Sequence, residues 1–179
     1  MRAVILAGGK GVRLRPLTYT IPKPLLPVGE KPILEEIIER LKTFGVHDFV
    51  IAVGYRAELI ETYFRDGSQL GVHIDYVRES HPLGTAGPLS LVRTSFDLPP
   101  DEPLLAMNGD ILTDLDMGAL FEFHRRGGYE ITIATREFQL QHQYGVLKLD
   151  GERVTGIVEK PAVTDIVSAG IYAIQPSAL

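Results

Sequence analysis

Three short segments carry residue types suited to handling phosphate. The first is Leu6-Ala7-Gly8-Gly9-Lys10-Gly11-Val12-Arg13-Leu14-Arg15-Pro16-Leu17-Thr18. Its glycines let backbone N–H groups approach a phosphate closely, and Arg13 can offer a two-pronged guanidinium. The run is not a P-loop, because G-x-x-x-x-G-K-[ST] is absent. Gly9-Lys10-Gly11 also lacks the third glycine of a dinucleotide-binding turn, which argues against a nicotinamide-dependent enzyme. The second segment is Pro22-Lys23-Pro24-Leu25-Leu26-Pro27. Its prolines predict a rigid, extended loop that holds the Lys23 charge in one place. The third, Met107-Asn108-Gly109-Asp110, ends an apolar run. A carboxylate there suits Mg²⁺, which takes one or two carboxylates together with substrate phosphates. Each segment also has a plainer reading: a connecting turn, a stiff surface loop, and a turn or cap role for Asp110. Asp114 and Asp116 read as loop and cap residues, Asp116 preceding a helix near Met117. His47, His73, His81, His124 and His142 show no metal-ligand spacing and read as structural or surface residues.

These segments sit in a chain of 179 residues, enough for one domain with a proper core. There is no cysteine, which excludes a disulfide framework, a thiolate metal site and a cysteine nucleophile. Hydrophobic residues make up 45% and charged residues 23%, the proportions of a globular protein. No apolar run approaches the ~20 residues that cross a bilayer. The apolar start is cut off by Gly8-Gly9-Lys10, too early for a secretory segment, so a cytoplasmic protein without a membrane partner is expected. The net charge is -5, yet residues 1–31 hold six cations and one anion. Such an acidic chain is a poor nucleic-acid binder, whereas its concentrated basic segment suits a small, highly charged ligand. A solvated basic loop is the alternative.

The elements that must position these residues are legible as alternating β-branched runs and amphipathic stretches. Strands are expected at Ala3–Leu6, Phe49–Val53, Val72–Val77 and Leu104–Met107. Between them fall helices at Ile33–Phe44, around Leu59–Phe64 and at Thr85–Phe96, and Met117–Arg126 follows. The alternation predicts an α/β fold with a doubly wound, mostly parallel, Rossmann-like sheet and helices on both faces. After Tyr129 the strands Ile131–Thr135, Val146–Leu149, Val154–Val158 and Val167–Ile174 come without helices, with a hairpin signal at Asp150-Gly151. One domain is therefore expected, with a nucleotide half at about 1–128 and a mixed-strand extension at about 129–179.

Six motifs, in order along nearly the whole chain, resemble the sugar-1-phosphate nucleotidylyltransferase family. They are Ala7-Gly8-Gly9-Lys10-Gly11-Val12-Arg13-Leu14, Pro22-Lys23-Pro24-Leu25, Leu83-Gly84-Thr85-Ala86-Gly87, Asn108-Gly109-Asp110, Tyr144-Gly145-Val146 and Glu159-Lys160-Pro161. The resemblance implies transfer of a nucleotidyl group from a nucleoside triphosphate to a sugar 1-phosphate, releasing pyrophosphate. It implies nucleotide contacts from Leu6, Ala7, Gly8, Gly9, Gly11, Arg13, Lys23, Glu79, Gly84 and Thr85, with Glu79 and Gly84 near the base. It implies sugar-phosphate contacts from Asn108, Asp110, Gly145, Glu159, Lys160 and Ser168. Arg13, Lys23, Asp110 and Lys160 would be the catalytic set, with Asp110 the ligand of Mg²⁺. Ser168-Ala169-Gly170 departs from relatives that carry asparagine before Ala-Gly, leaving a shorter side chain with a single hydroxyl.

The segment from Leu83 to Leu89 is similar to guanylyl-transferring members that use mannose 1-phosphate. Thymidylyl or uridylyl transfer to glucose 1-phosphate, and a non-catalytic regulator that binds nucleotide sugars, are the alternatives. Oligomeric state is left open, a homo-oligomer being compatible with the sequence. Relatives continue past the strand matching Val167–Ile174 and supply a second aspartate to the metal. The chain is thus expected to be a fragment, with Asp165 in a loop and apolar surface near Ile171, Ile174 and Leu179 exposed or covered by a partner chain.

Overall fold

The computed structural model describes residues 1–79, 83–84 and 86–179. Strand β1 (Arg2–Ala7) is apolar on both faces, with Ala3, Val4 and Ile5 fully buried. A short antiparallel pair follows, β2 (Pro27–Val28) with β3 (Lys31–Pro32). Helix α1 (Ile33–Lys42) buries Leu34, Ile37, Ile38 and Leu41, which recur at helical spacing on one face. Gly45 ends that stretch at φ 78, a conformation that costs glycine little. The chain continues through β4 (Asp48–Val53), α2 (Ala57–Phe64), β5 (His73–Arg78), α3 (Gly87–Ser95) and β6 (Leu104–Asn108). Helix α4 (Met117–Gly127) starts at Asp116, whose side chain accepts a 3.0 Å hydrogen bond from the Ala119 N–H. Then come β7 (Ile131–Gln141), β8 (Val146–Asp150), β9 (Arg153–Val158) and β10 (Ala162–Ile174).

The six-stranded sheet has the order β5-β4-β1-β6-β10-β7. Strands β5, β4, β1 and β6 are mutually parallel, and β10 runs antiparallel to β6. Val4 lies opposite both Val50 and Ala106, so β1 is central and apolar. The chain leaves β1 for β4 and β5 on one side, then returns to β6 on the other. That reversal creates a crevice at the carboxyl ends of β1 and β6, where open α/β sheets take their ligands. The α/β class and the mainly parallel sheet are as the sequence predicts.

By compactness the chain divides into two units. Residues 1–133 and 170–179 form the first, and residues 134–169 the second. Within the second unit β8 and β9 pair antiparallel, with a register shift between Lys148 and Leu149. Gly151 turns the hairpin at φ 59.

Three local expectations are corrected. Lys23–Leu25 is a 3₁₀ turn, not part of an extended loop, and Pro24 is buried within it. Proline at the second position of a tight turn already has the required φ, so the three prolines do not enforce extension. Asp165 lies inside β10 because that strand begins at Ala162. Ile171 and Ile174 are buried: β10 pairs them against Met107 and Leu104 of β6. Leu179 packs against the core cluster that contains Val4, Val92, Ala106 and Ile174.

Candidate active site

A cavity of about 940 Å³ opens at the carboxyl ends of β1, β4, β5 and β6. Leu6, Ala7, Gly8, Gly9, Gly11, Arg13, Lys23, Glu79 and Gly84 line it, as do Asn108 and Asp110. Every expected nucleotide contact among the described residues is therefore in one place. Thr85 and His81 lie outside the described residues.

The glycines are there for clearance. A Cβ on Gly8 would stand 2.8 Å from Glu79 Oε2, and one on Gly54 would stand 2.9 Å from the Gly8 carbonyl oxygen. At Gly54 the close atom is backbone, which leaves no room for a side chain, whereas at Gly8 a side chain would have to displace the Glu79 carboxylate. The backbone ties the strand ends together: Tyr55 N–H donates to the Gly8 carbonyl at 3.2 Å, Glu79 N–H to Val53 at 3.0 Å and Gly109 N–H to Leu6 at 2.9 Å. Gly54 and Tyr55 also line the cavity and were not anticipated. Their signal was available in Val53-Gly54-Tyr55, a glycine ending a buried strand.

The loop after Gly11 carries the cations. Gly11 is left-handed at φ 59, and its carbonyl accepts a 2.8 Å hydrogen bond from the Thr18 hydroxyl, the buried anchor of the loop. Two 3₁₀ turns, Val12–Leu14 and Leu17–Tyr19, follow, and they leave Arg13 and Arg15 exposed. The Arg15 guanidinium lies 5.0 Å from the Tyr19 ring centroid. The Tyr19 carbonyl receives Arg56 Nη2 at 2.6 Å and the Tyr55 hydroxyl at 3.3 Å. Farther on, the Lys23 ammonium is ion-paired with the Asp110 carboxylate.

Among the described residues no three His, Cys, Asp or Glu side chains are grouped as a metal cage. Asp110 nonetheless suits Mg²⁺, which accepts a single carboxylate when phosphates and water complete its shell. Its carboxylate already attracts a cation, the Lys23 ammonium. Among the described residues no histidine lines the cavity. His124 is buried on α4, with Nδ1 2.8 Å from the Thr132 hydroxyl. Burial, with Arg125 adding like charge, holds its pKa below the usual histidine range.

The second unit holds the remaining expected contacts. A Cβ on Gly145 would stand 3.0 Å from Glu159 Oε2 and 2.9 Å from Ile157 Cδ1, so Gly145 and Glu159 are neighbours. Lys160 is exposed and left-handed at φ 41, directly before Pro161. A residue before proline is normally extended, so this conformation is doubly disfavoured and costs roughly 1–3 kcal/mol. Ser168 is exposed on β10.

The family model described as nucleotidyl transferase matches residues 2–179. The chain is 41% identical over 182 residues to a mannose-1-phosphate guanyltransferase of Yarrowia lipolytica, covering 99% of this chain and 50% of that protein. It is 41% identical over 186 residues to a mannose-1-phosphate guanylyltransferase catalytic subunit beta of Danio rerio, covering 100% and 51%. The chain therefore spans about half the length of the curated relatives it matches. In three dimensions it is similar to HddC of Yersinia pseudotuberculosis in complex with GMP-PN, with a TM-score of 0.74 and 29% identity over 98% of this chain and 77% of that one. A UDP-glucose pyrophosphorylase complexed with UDP-glucose, at 22% identity and a TM-score of 0.71 over 98% of this chain and 76% of that one, shares the fold.

Proposed function

The chain belongs to the nucleotidyl transferase family, and on that premise we propose that it serves nucleotidylyl transfer from a nucleoside triphosphate to a sugar 1-phosphate. We assign GTP and mannose 1-phosphate as the pair. The observation that carries the assignment of chemistry is the convergence of Gly8, Gly9, Arg13, Lys23 and Asp110 on one cavity at the sheet's switch point.

The reaction joins two anions. An oxygen of the sugar phosphate attacks the α-phosphorus, a new P–O bond forms, and the α–β P–O bond breaks to release pyrophosphate. The attacking oxygen is already ionised near neutral pH, so no base is needed, consistent with the absence of a histidine from the described cavity lining. Catalysis then rests on alignment and on neutralising charge. Backbone N–H groups of the glycine turn receive the phosphates, Arg13 takes the charge that grows on the departing pyrophosphate, and Lys23 holds the phosphate chain. Asp110 would hold Mg²⁺, which when bound supplies further neutralisation of the phosphates. In the second unit, Glu159 and Gly145 would meet sugar hydroxyls and Lys160 the sugar phosphate, with Ser168 as a supporting contact; in the first unit Asn108 would be another.

Guanine is the base favoured by Glu79. An ionised carboxylate only accepts, which suits guanine's ring N–H and amino group. Uracil and thymine each offer an N–H flanked by carbonyls, for which a glutamine would be the better match. The 41% identity to two proteins named as mannose-1-phosphate guanylyl-transferring supports the same choice. The test is kcat/KM for GTP, dTTP, UTP, CTP and ATP with mannose 1-phosphate and with glucose 1-phosphate. GTP with mannose 1-phosphate should lead, and a clear preference for dTTP or UTP would overturn the guanine assignment.

A further inference from the structure

The loop that presents Arg13 is exposed along most of its length, so something other than burial must fix its position. From residue 12 to residue 21, only Thr18 is buried. The external hold on this loop comes from the turn between β4 and α2. Arg56 Nη2 donates to the Tyr19 carbonyl at 2.6 Å, and Arg56 Nε donates to the Tyr55 hydroxyl at 3.1 Å. That hydroxyl in turn donates to the same Tyr19 carbonyl at 3.3 Å. The three bonds close a ring. The Arg56 guanidinium also lies 5.6 Å from the Tyr55 ring centroid, a cation–π contact. Tyr55 itself is held by its N–H bond to Gly8, within the glycine turn.

Arg56 reaches this arrangement from a left-handed backbone, φ 52 and ψ 41, at the start of α2. That conformation is disfavoured for a residue with a Cβ, and it persists only where surrounding contacts fix it. Arg56 makes no side-chain cap to α2, so helix initiation does not explain it. We propose that Arg56 and Tyr55 are positioning residues that clamp the Tyr19 carbonyl and thereby fix the direction in which Arg13 meets the triphosphate. This rests on the triphosphate site proposed above. Arg56 touches no reacting atom in this account and acts only through the loop.

Arg56→Gly is the informative variant, because glycine adopts the same φ without cost and removes only the side chain. Tyr55→Phe keeps the ring and removes the hydroxyl. Amide exchange of residues 12–20 in the ligand-free protein should quicken about tenfold in Arg56→Gly, as expected when a charge-assisted hydrogen bond is lost. Mg²⁺-GTP titrated into Arg56→Gly should bind about tenfold more weakly, with Tyr55→Phe showing a smaller loss and neither variant melting much earlier than wild type. The deciding measurement is a double-mutant cycle: in an Arg13→Ala background, Arg56→Gly should weaken GTP binding no further. Unchanged exchange in the loop, or additive losses in the cycle, would overturn the proposal. If wild type binds neither GTP nor dTTP, the triphosphate site itself fails, and exchange alone then decides for or against the clamp.

Discussion

Lys23 and Asp110, separated by 87 residues in sequence, form an ion pair on the wall of the cavity. Their side chains are 30% and 33% exposed, so the pair is partly screened and its intrinsic worth is about 0.2–1 kcal/mol. Its consequence is one of competition. The cation assigned to the phosphates is paired with the carboxylate assigned to the metal, so the two cations compete for it.

Removing the lysine should therefore have opposite effects on the two ligands. Lys23→Met should tighten Mn²⁺ binding to the nucleotide-free protein by up to about fivefold, the equivalent of the upper end of the pair's worth. The same variant should weaken triphosphate binding. Free Mn²⁺ measured by electron paramagnetic resonance checks the first, and nucleotide titration the second. Mn²⁺ binding that is unchanged or weaker in Lys23→Met would show that the pair does not compete with the metal.

Arg13→Ala should lower turnover on the order of 10²-fold or more, as loss of an electrostatic stabiliser does elsewhere. Arg13→Lys should not recover the loss, because an ammonium lacks the two-pronged fork. Steady-state kinetics on both variants is the check, and an unchanged kcat for Arg13→Ala removes the residue from the mechanism.

Lys160→Met should weaken sugar 1-phosphate and leave the triphosphate nearly untouched. Separate titrations of the two ligands distinguish this from general damage, which would weaken both equally. Because Lys160 is left-handed before a proline, Lys160→Gly should relieve backbone strain and raise thermal stability while losing the same affinity.

Acid should act through His124. Its pKa is lowered in the folded chain by burial and then by Arg125, so the unfolded state binds a proton that the folded state resists. Stability should be fully present above about 6.5 and fall as pH drops through that value towards the lowered folded pKa. Urea midpoints at pH 7.5 and 5.5 test this: His124→Gln should show a smaller difference between them than wild type. Equal differences would place the acid sensitivity elsewhere.

Much of this organisation is legible in the residues themselves, for reasons that differ by region. The parallel strands around Val4, Val50 and Leu105 read clearly because β-branched and aliphatic runs are buried on both faces. The glycine turn reads clearly because Gly11 combines a positive φ with close approach of Thr18, and Gly8 lies against the Glu79 carboxylate. The Pro22–Pro27 segment misled, since proline fixes φ alone and φ is shared by extended chain and tight turns. Asp165 misled because the outer half of β10 is exposed, and Thr164-Asp165 interrupts its apolar residues there, which hides the start of the strand. A glycine ending a buried strand marks Gly54 and Tyr55 as a strand-end turn, but the roles of Tyr55 and Arg56 arise from contacts to Gly8 and Tyr19, distant in sequence.

The central claim is transfer at the α-phosphorus, and isotopic labelling tests it most directly. With Mg²⁺, mannose 1-phosphate and [α-³²P]GTP, label should move into a nucleotide sugar, with one unlabelled pyrophosphate released per transfer and none without the sugar phosphate. Label that stays in GTP or appears only as GDP or GMP, with every sugar 1-phosphate and every α-labelled triphosphate tried, would contradict the account.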